Sequence, residues 1–194
     1  DGQRILFSSE RDGLLNLFSK SADGTGQVER LATSDMQQLA QSWSGDGQSL
    51  ILMTSPAGAT SDITVLNVEG DGTEDVAVGT PFAEIYADVS PDGRWLAYAS
   101  NESGGFEVYA RPFPNVNDGR WQISRAGGIE PVWGPDSNEL FYRNGTDMLV
   151  VDMETEPTLA PGNPRVVFNG SYRPSAVGRG RAWDLSPDGE QFLM

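Results

Sequence analysis

Four residues with chemistry-bearing side chains stand at fixed distances from an aspartate that recurs along this chain. They lie four or six residues before a copy of that aspartate, and they are Tyr86, Asp88, Glu130 and Asp184. Convergent carboxylates attract positive groups and hard cations take oxygen ligands, so the set could hold a cation such as calcium or a basic peptide tail. The alternative is that each carboxylate binds the backbone of a neighbouring repeat or faces water.

A second candidate site is a basic segment near the end of the chain, from Ser171 to Arg181 (SYRPSAVGRGR). It interrupts the repeat, and insertions in repeat arrays often lie on the binding face. Its candidate binding residues are Tyr172, Arg173, Arg179 and Arg181. Arginine can grip a carboxylate or a phosphate through paired N–H donors; the alternative is a loop whose charges sit in water.

The absence of two residue types excludes several kinds of chemistry. The sequence contains no histidine and no cysteine. Ser-His-Asp and Cys-His catalysis, thiolate or histidine metal sites and disulfides are therefore ruled out within this chain. The residues predict no catalytic group, no dedicated metal site and no cofactor, apart from the channel cation considered above.

The recurring aspartate belongs to a motif that appears five times. Its copies read DGQRILF, DGQSLIL, DGRWLAY, DSNELFY and DGEQFLM and begin at Asp1, Asp46, Asp92, Asp136 and Asp188. The spacings of 45, 46, 44 and 52 residues are those of a supersecondary unit that stacks on its neighbours. An Asp-Gly turn followed by alternating apolar residues predicts a hairpin, so Asp46, Asp92, Asp136 and Asp188 are expected to be structural.

Each repeat also contains a third and a fourth strand-like segment, such as DITVLN and EDVAVG in the second repeat. Four strands per repeat predict the blade of a β-propeller, in which blades pack face to face around an axis. No stretch has helical apolar spacing over three turns, so the predicted fold class is all-β. Tryptophans beside the inner strands, Trp43 and Trp133 together with Trp95 and Trp183, are expected to pack between blades.

The motifs at Ser90–Tyr98 (SPDGRWLAY) and Ser186–Gly189 (SPDG) resemble those of TolB-like, WD-repeat-like propellers. From Phe82 to Asn144 the chain also resembles propeller segments attached to bacterial serine/threonine kinases. Gly45 and Ser137 depart from the motif, replacing a proline and a glycine. The resemblance implies a non-catalytic scaffold that binds a protein or peptide, and a periplasmic or other extracytoplasmic bacterial location.

Two other functions remain open from the sequence. One is the gating propeller of a larger hydrolase, such as a prolyl-oligopeptidase-like peptidase, with the catalytic residues elsewhere. The other is a carbohydrate-binding propeller that uses exposed tryptophan and tyrosine side chains. The net charge of −15 disfavours nucleic acid and anionic membrane surfaces as partners, and no apolar run reaches the ~20 residues of a membrane span.

Residues 1–194 are expected to form one propeller domain of about four to five blades, with the first and last repeats incomplete. The strand predicted at Ala182 to Ser186 could complete the first blade and close a ring of four. The alternative, which the leftover residues after it favour, is a portion of a larger ring. Open blade edges would make the chain a candidate for homo-oligomer formation.

Overall fold

The chain folds into antiparallel β-sheets that follow one another along the sequence. The computed structural model describes residues 2–56, 58–68, 72–172 and 180–194. The first sheet consists of β1 (Arg4–Ser9), β2 (Asn16–Ser21) and β3 (Glu29–Arg30). The second consists of β4 (Gln37–Trp43), β5 (Ser49–Ser55), β6 (Asp62–Asn67) and β7 (Glu74–Val78). The third consists of β8 (Glu84–Val89), β9 (Trp95–Ser100), β10 (Glu107–Pro112) and β11 (Trp121–Gln122).

The later sheets follow the same plan with two differences. The fourth contains β12 (Ile129–Trp133), β13 (Glu139–Asn144), β14 (Asp147–Glu154), β15 (Ala160–Pro161) and β16 (Arg165–Asn169). Both β15 and β16 pair with β14, at opposite ends of that strand. The last sheet is a hairpin of β17 (Asp184–Leu185) and β18 (Phe192–Leu193). Every regular element in the described ranges is a strand, which confirms the all-β prediction.

The motif aspartates close the turn between the first two strands of a repeat. In the second repeat Asp46 Oδ1 accepts hydrogen bonds from Ser44 Oγ at 2.6 Å and from the backbone N–H of Gln48 at 3.0 Å. The third and fifth repeats make the same pair of bonds to Asp92 and Asp188. These bonds hold the backbone of the turn in the second, third and fifth repeats, and the fourth repeat has Gly134 in place of the serine donor.

The hydrophobic core lies between consecutive sheets. Leu17 of the first sheet packs with Leu50 and Leu52 of the second, and Trp95 of the third packs with Trp133 of the fourth. Burial follows the prediction for Trp95, Trp133 and Trp183, which are 8%, 4% and 3% exposed. The prediction for Trp43 was wrong. Its side chain is 43% exposed at the end of β4, where Trp43 pairs with Leu50 of β5.

The C-terminal hairpin packs on the fourth sheet rather than on the first. Trp183, Leu185 and Phe192 contact a cluster that contains Phe141 and Val150 of the fourth sheet. The strand at Ala182 to Ser186, one of whose two predicted roles was to complete the first blade, thus packs on the fourth sheet. Within the described residues, β1 pairs with β2 alone.

Candidate functional site

A cavity with a volume of about 500 Å³ lies between the first two sheets and the C-terminal hairpin. Leu6, Phe7 and Ser8 of β1 form one wall, and Leu39, Ala40 and Gln41 of β4 lie beside them. The residues predicted as binding residues that line it are Tyr86, Arg181 and Asp184. Two sites that the sequence analysis treated as separate therefore share one cavity.

The wall formed by β1 is an open sheet edge. In the second, third and fourth sheets, the strand after the motif turn is paired on both sides, whereas β1 pairs only with β2 among the described strands. Ile5 is 54% exposed, although the residues at the same repeat position, Leu50, Leu96 and Leu140, are 2%, 0% and 0% exposed. An unpaired edge presents a row of backbone donors and acceptors to any extended chain that reaches it.

Arg181 connects the cavity to the interior of the sheet array. Its Nη1 lies 3.2 Å from Asp88 Oδ1 and 3.5 Å from the carbonyl oxygen of Pro131, and its Nη2 lies 3.5 Å from Asp184 Oδ1. The Arg181 side chain is 21% exposed, so it remains accessible from the cavity. A second cavity of about 380 Å³ is lined by the same Arg181 and by both of these aspartates.

Asp88 is a buried acceptor between two sheets. Its Oδ2 accepts the backbone N–H of Trp133 at 2.9 Å, and the residue is 8% exposed. Burial raises the pKa of Asp88, and the charge of Arg181 opposes that rise only in part. The geometry is that of a carboxylate bound to the backbone of the next blade, the alternative that the sequence left open.

Glu130 is enclosed in a similar way. The residue is 0% exposed, and its Oε2 lies 3.6 Å from Arg143 Nη1. Burial raises the pKa of Glu130, while the charge of Arg143 and a hydrogen bond from the backbone of Ala182 act in the opposite direction. Asp184 differs from both buried acids, because its side chain is 60% exposed.

The predicted channel carboxylates do not form one metal-binding group. Among the described residues, no cluster of three acidic side chains is placed to hold a metal ion. The reason is local: β-bulges interrupt the strand alternation between Ile85 and Asp88 and between Ile129 and Val132. Tyr86 and Glu130 have positive φ values of 58° and 56°, and a bulge redirects the side chains that follow it.

Of the basic segment from Ser171 to Arg181, the structure describes four residues: Ser171, Tyr172, Gly180 and Arg181. Tyr172 is 42% exposed and contacts Phe168 edge-on, with ring centroids 5.9 Å apart. Arg173 and Arg179 lie outside the described residues. The prediction that these residues act together with Arg181 therefore stays a prediction.

The residues of β1 and β4 that line the cavity of about 500 Å³ were not predicted from the sequence. Leu6 and Leu39 are apolar residues of ordinary strands, and nothing in their type marks a site.

No described helix is long and apolar enough to span a membrane. No protein-family model and no curated protein matches the sequence. Solved structures do match. A protein described as TolB from Agrobacterium tumefaciens shares 20% identity, with a TM-score of 0.75 over 98% of this chain and 69% of that chain. A periplasmic gluconolactonase from Pseudomonas aeruginosa shares 16% identity, with a TM-score of 0.62 over 98% of this chain and 61% of that one.

A puromycin-hydrolysing peptidase from Mycobacterium tuberculosis shares 14% identity, with a TM-score of 0.68 over 97% of this chain and 33% of that one. This chain thus spans between a third and about two thirds of the length of these three proteins. At such identities the similarity concerns the fold. The chain has a TolB-like β-propeller fold, as its motifs predicted, and that fold also occurs in enzymes.

Proposed function

We propose that this TolB-like propeller is a non-catalytic scaffold that binds an extended segment of a protein or peptide along the open edge of β1. The observation that carries the proposal is the combination of that edge with the adjacent cavity of about 500 Å³. Strand addition is a common mode of peptide recognition, in which backbone hydrogen bonds provide affinity and side-chain pockets provide specificity.

The exposed apolar groups at this edge support the same mode of binding. Ile5 is 54% exposed and Leu193 on the opposite side of the cavity is 75% exposed. Side chains of a bound segment that cover these groups would remove them from water, at about 25 cal/mol for each Å² of apolar surface buried. At the equivalent positions Leu50, Leu96 and Leu140, packing on a neighbouring sheet already does this.

Charge favours one class of partner over the others. The net charge of −15 attracts positively charged segments over long distances and increases their rate of encounter. Within the cavity, Asp184 offers a carboxylate to a basic side chain, and Arg181 offers a guanidinium that is partly engaged by Asp88. A basic segment with alternating apolar residues fits both the open edge of β1 and the negative electrostatic potential of the chain.

A second candidate function is the gating propeller of a larger hydrolase. It is favoured by the similarity of 97% of this chain to one third of the mycobacterial peptidase. The sequence contains no histidine, so a Ser-His-Asp reaction would depend on residues elsewhere. The similarity to a periplasmic lactonase and to TolB supports a periplasmic or extracytoplasmic location for either function. Carbohydrate binding has one exposed tryptophan to support it, Trp43.

The test is selection of octapeptides from a random display library on the immobilised chain, followed by fluorescence anisotropy with each selected peptide. We expect peptides that alternate apolar and polar residues and carry basic groups. The variant Ile5→Lys should weaken their binding at least tenfold, because a charge on an edge strand opposes strand addition. Val76→Lys is the matched control, since Val76 is also exposed (64%) but lies on the outermost strand of the second sheet.

Binding that is unchanged in Ile5→Lys, or a library that yields no enriched sequence, would count against the proposal. Circular dichroism of both lysine variants should match that of the wild type, because both positions face water. A loss of binding in Ile5→Lys together with an unchanged spectrum would assign the effect to the edge.

A further inference from the structure

Glu84, at the start of β8, contains a buried carboxylate oxygen without a hydrogen-bond partner. The residue is 1% exposed. Its Oε1 accepts the hydroxyl hydrogens of Thr80 at 2.6 Å and of Ser100 at 3.3 Å. Its Oε2 has no partner among the described residues. Leaving a buried charged oxygen unsatisfied is costly, so a native structure is expected to supply a partner for it.

A second carboxylate lies beside it, on the neighbouring sheet. Asp62 begins β6, and the backbone N–H of Glu84 donates to the carbonyl oxygen of Ser61 at 2.8 Å. Burial raises the pKa of Glu84, and the negative charge of Asp62 raises it further. Burial also raises the pKa of Asp62. The Asp62 carboxylate lies beside Gly79, 3.6 Å from where a Cβ on that glycine would stand, and Gly79 precedes Thr80, whose hydroxyl donates to Glu84. The two acids thus lie at the same junction of the second and third sheets.

The same junction in the neighbouring repeats is built with fewer charges. The hydrogen bond from Glu84 to Ser61 has an equivalent in the bond from Gln38 N–H to the Leu15 carbonyl (2.8 Å) and in that from Gly128 N–H to the Phe106 carbonyl (3.0 Å). Position by position, Glu84 therefore corresponds to Gln38 and Gly128. Asn16 follows the acceptor Leu15, Asp62 follows the acceptor Ser61, and Glu107 follows the acceptor Phe106.

At the other junctions, the residue that corresponds to Asp62 has its own donors. Asn16 Oδ1 accepts the backbone N–H of Ser34 at 3.2 Å. Glu107 accepts the hydroxyl of Ser124 and the backbone N–H of Gly127 at 2.9 Å. Of these three junctions, only the one between the second and third sheets combines two carboxylates. At this junction the Thr80 hydroxyl donates its hydrogen to Glu84.

We propose that Asp62 and Glu84, with the hydroxyl oxygens of Thr80 and Ser100, bind one hard divalent cation of the calcium type between the second and third sheets. Such a cation takes carboxylate, hydroxyl and water oxygens in irregular geometry, and it would satisfy Glu84 Oε2. This site is distinct from the open edge of β1, and it does not depend on the function proposed for that edge.

The composition of the site sets its expected strength. Two carboxylates give less negative charge than the high-affinity calcium loops of cytosolic proteins contain. We expect a dissociation constant of about 10⁻⁴ to 10⁻³ M, the range of extracellular calcium modules. A cation held between two sheets stabilises the folded state, because the unfolded chain does not bring the two carboxylates together.

The test is calorimetric titration of the chelator-treated full chain with Ca²⁺, together with melting curves at rising Ca²⁺ concentration. We expect one binding site per chain and a rise in Tm of about 5 to 10 °C at a Ca²⁺ concentration a hundredfold above Kd. The variants are Glu84→Gln and Asp62→Asn. Each introduces a residue that the chain itself uses at the equivalent position, Gln38 and Asn16, so both are expected to fold.

Both variants should lose the calorimetric signal and the rise in Tm, whereas Asp184→Asn, at the main cavity, should keep both. A wild-type chain that shows no Ca²⁺-dependent heat or Tm change would overturn the proposal. A response that survives in Glu84→Gln and Asp62→Asn, or disappears in Asp184→Asn, would overturn it as well. So would a response that NaCl at equal ionic strength reproduces, because that is screening of the negative charge.

Discussion

At the scale of single residues, one repeat position links the second sheet to the third and the third sheet to the fourth. Ser42 Oγ accepts the backbone N–H of Val89 at 3.3 Å, and Asp88 accepts that of Trp133 at 2.9 Å. Both acceptors stand four residues before a motif aspartate, and both donors stand three before the next. The fourth repeat has Val132 at the acceptor position, which has no oxygen to offer. The carboxylate that suggested Asp88 as a cation ligand therefore also links the third sheet to the fourth through the backbone of Trp133.

A first prediction concerns the pH dependence that Asp88 gives to stability. Its pKa is raised by burial above the ordinary value of 3.8, so the folded state holds its proton at pH values where the unfolded chain has released it. Its contribution to the free energy of unfolding is thus largest at low pH and falls as the pH rises from 3.8 through the raised pKa. Asp88→Asn removes this contribution and keeps an acceptor for Trp133.

The measurement is urea unfolding of wild type and Asp88→Asn at several pH values from about 3.5 to 7. The free energy of the wild type, relative to the variant, should decrease as the pH rises. The charged neighbours of the site are Arg181 and Asp184, and both are unchanged in the variant. If the free energies of unfolding of the two proteins changed in parallel with pH, the prediction would be contradicted. A difference that increases with pH would mean that the charge of Arg181 affects the pKa of Asp88 more than burial does.

At the scale of elements, the motif turns of successive sheets pack on one another. A Cβ atom on Gly45 would lie 2.8 Å from the carbonyl oxygen of Pro91 and 3.0 Å from the backbone nitrogen of Gly93. The Ser137 hydroxyl accepts the backbone N–H of Asp92 at 3.1 Å. The two departures from the motif therefore occur where one turn contacts the next, and Gly45 gives room for the following turn.

A second prediction is that Gly45→Ala destabilises the fold by about 1 to 3 kcal/mol, because its methyl group would collide with backbone atoms that cannot move alone. Gly105→Ala is the matched control, since a Cβ there meets nothing within 4 Å and its backbone needs no positive φ. That substitution should change stability by no more than about 0.5 kcal/mol. Chemical denaturation measures the change in the free energy of unfolding of each variant. Equal changes would show that the turns at Gly45 and Gly93 can move apart to admit the methyl group at little cost.

The strands could be predicted from sequence because their signals are local. An Asp-Gly turn followed by alternating apolar residues fixes β5 and β9, since turn chemistry and burial agree there. The bulges in β8 and β12 could not be predicted. They place Tyr86 and Glu130 at positive φ, a conformation that few non-glycine residues adopt and that no local pattern marks.

At the scale of the whole molecule, stability comes from apolar surfaces between sheets rather than from any one sheet. Trp133 packs with Trp95 and Ala97 of the preceding sheet and with Leu140 of its own. Repeat proteins of this kind lose stability interface by interface. The sequence predicted these surfaces from periodicity, but it could not predict that Arg181 reaches Asp88, 93 residues away, because only the arrangement of sheets brings them together.

A third prediction follows for the tryptophans. Trp133→Ala should cost about 3 to 5 kcal/mol, because it leaves a large cavity between two sheets. Trp43→Ala should cost less than about 1 kcal/mol, since that side chain is already 43% exposed. Urea unfolding, monitored by circular dichroism, measures the free energy of unfolding of both variants. A similar decrease in both would indicate that the exposure of the tryptophan side chain does not determine the loss of stability.

The connectors between sheets also give the array a direction. Ser42 and Asp88 each offer an acceptor to the following sheet and never to the preceding one. The two ends of the described array therefore present different surfaces. A contact between one end of this array and the opposite end of a second copy would be head to tail. Contacts of that kind close as rings when the rotation between copies allows it and otherwise continue as open filaments.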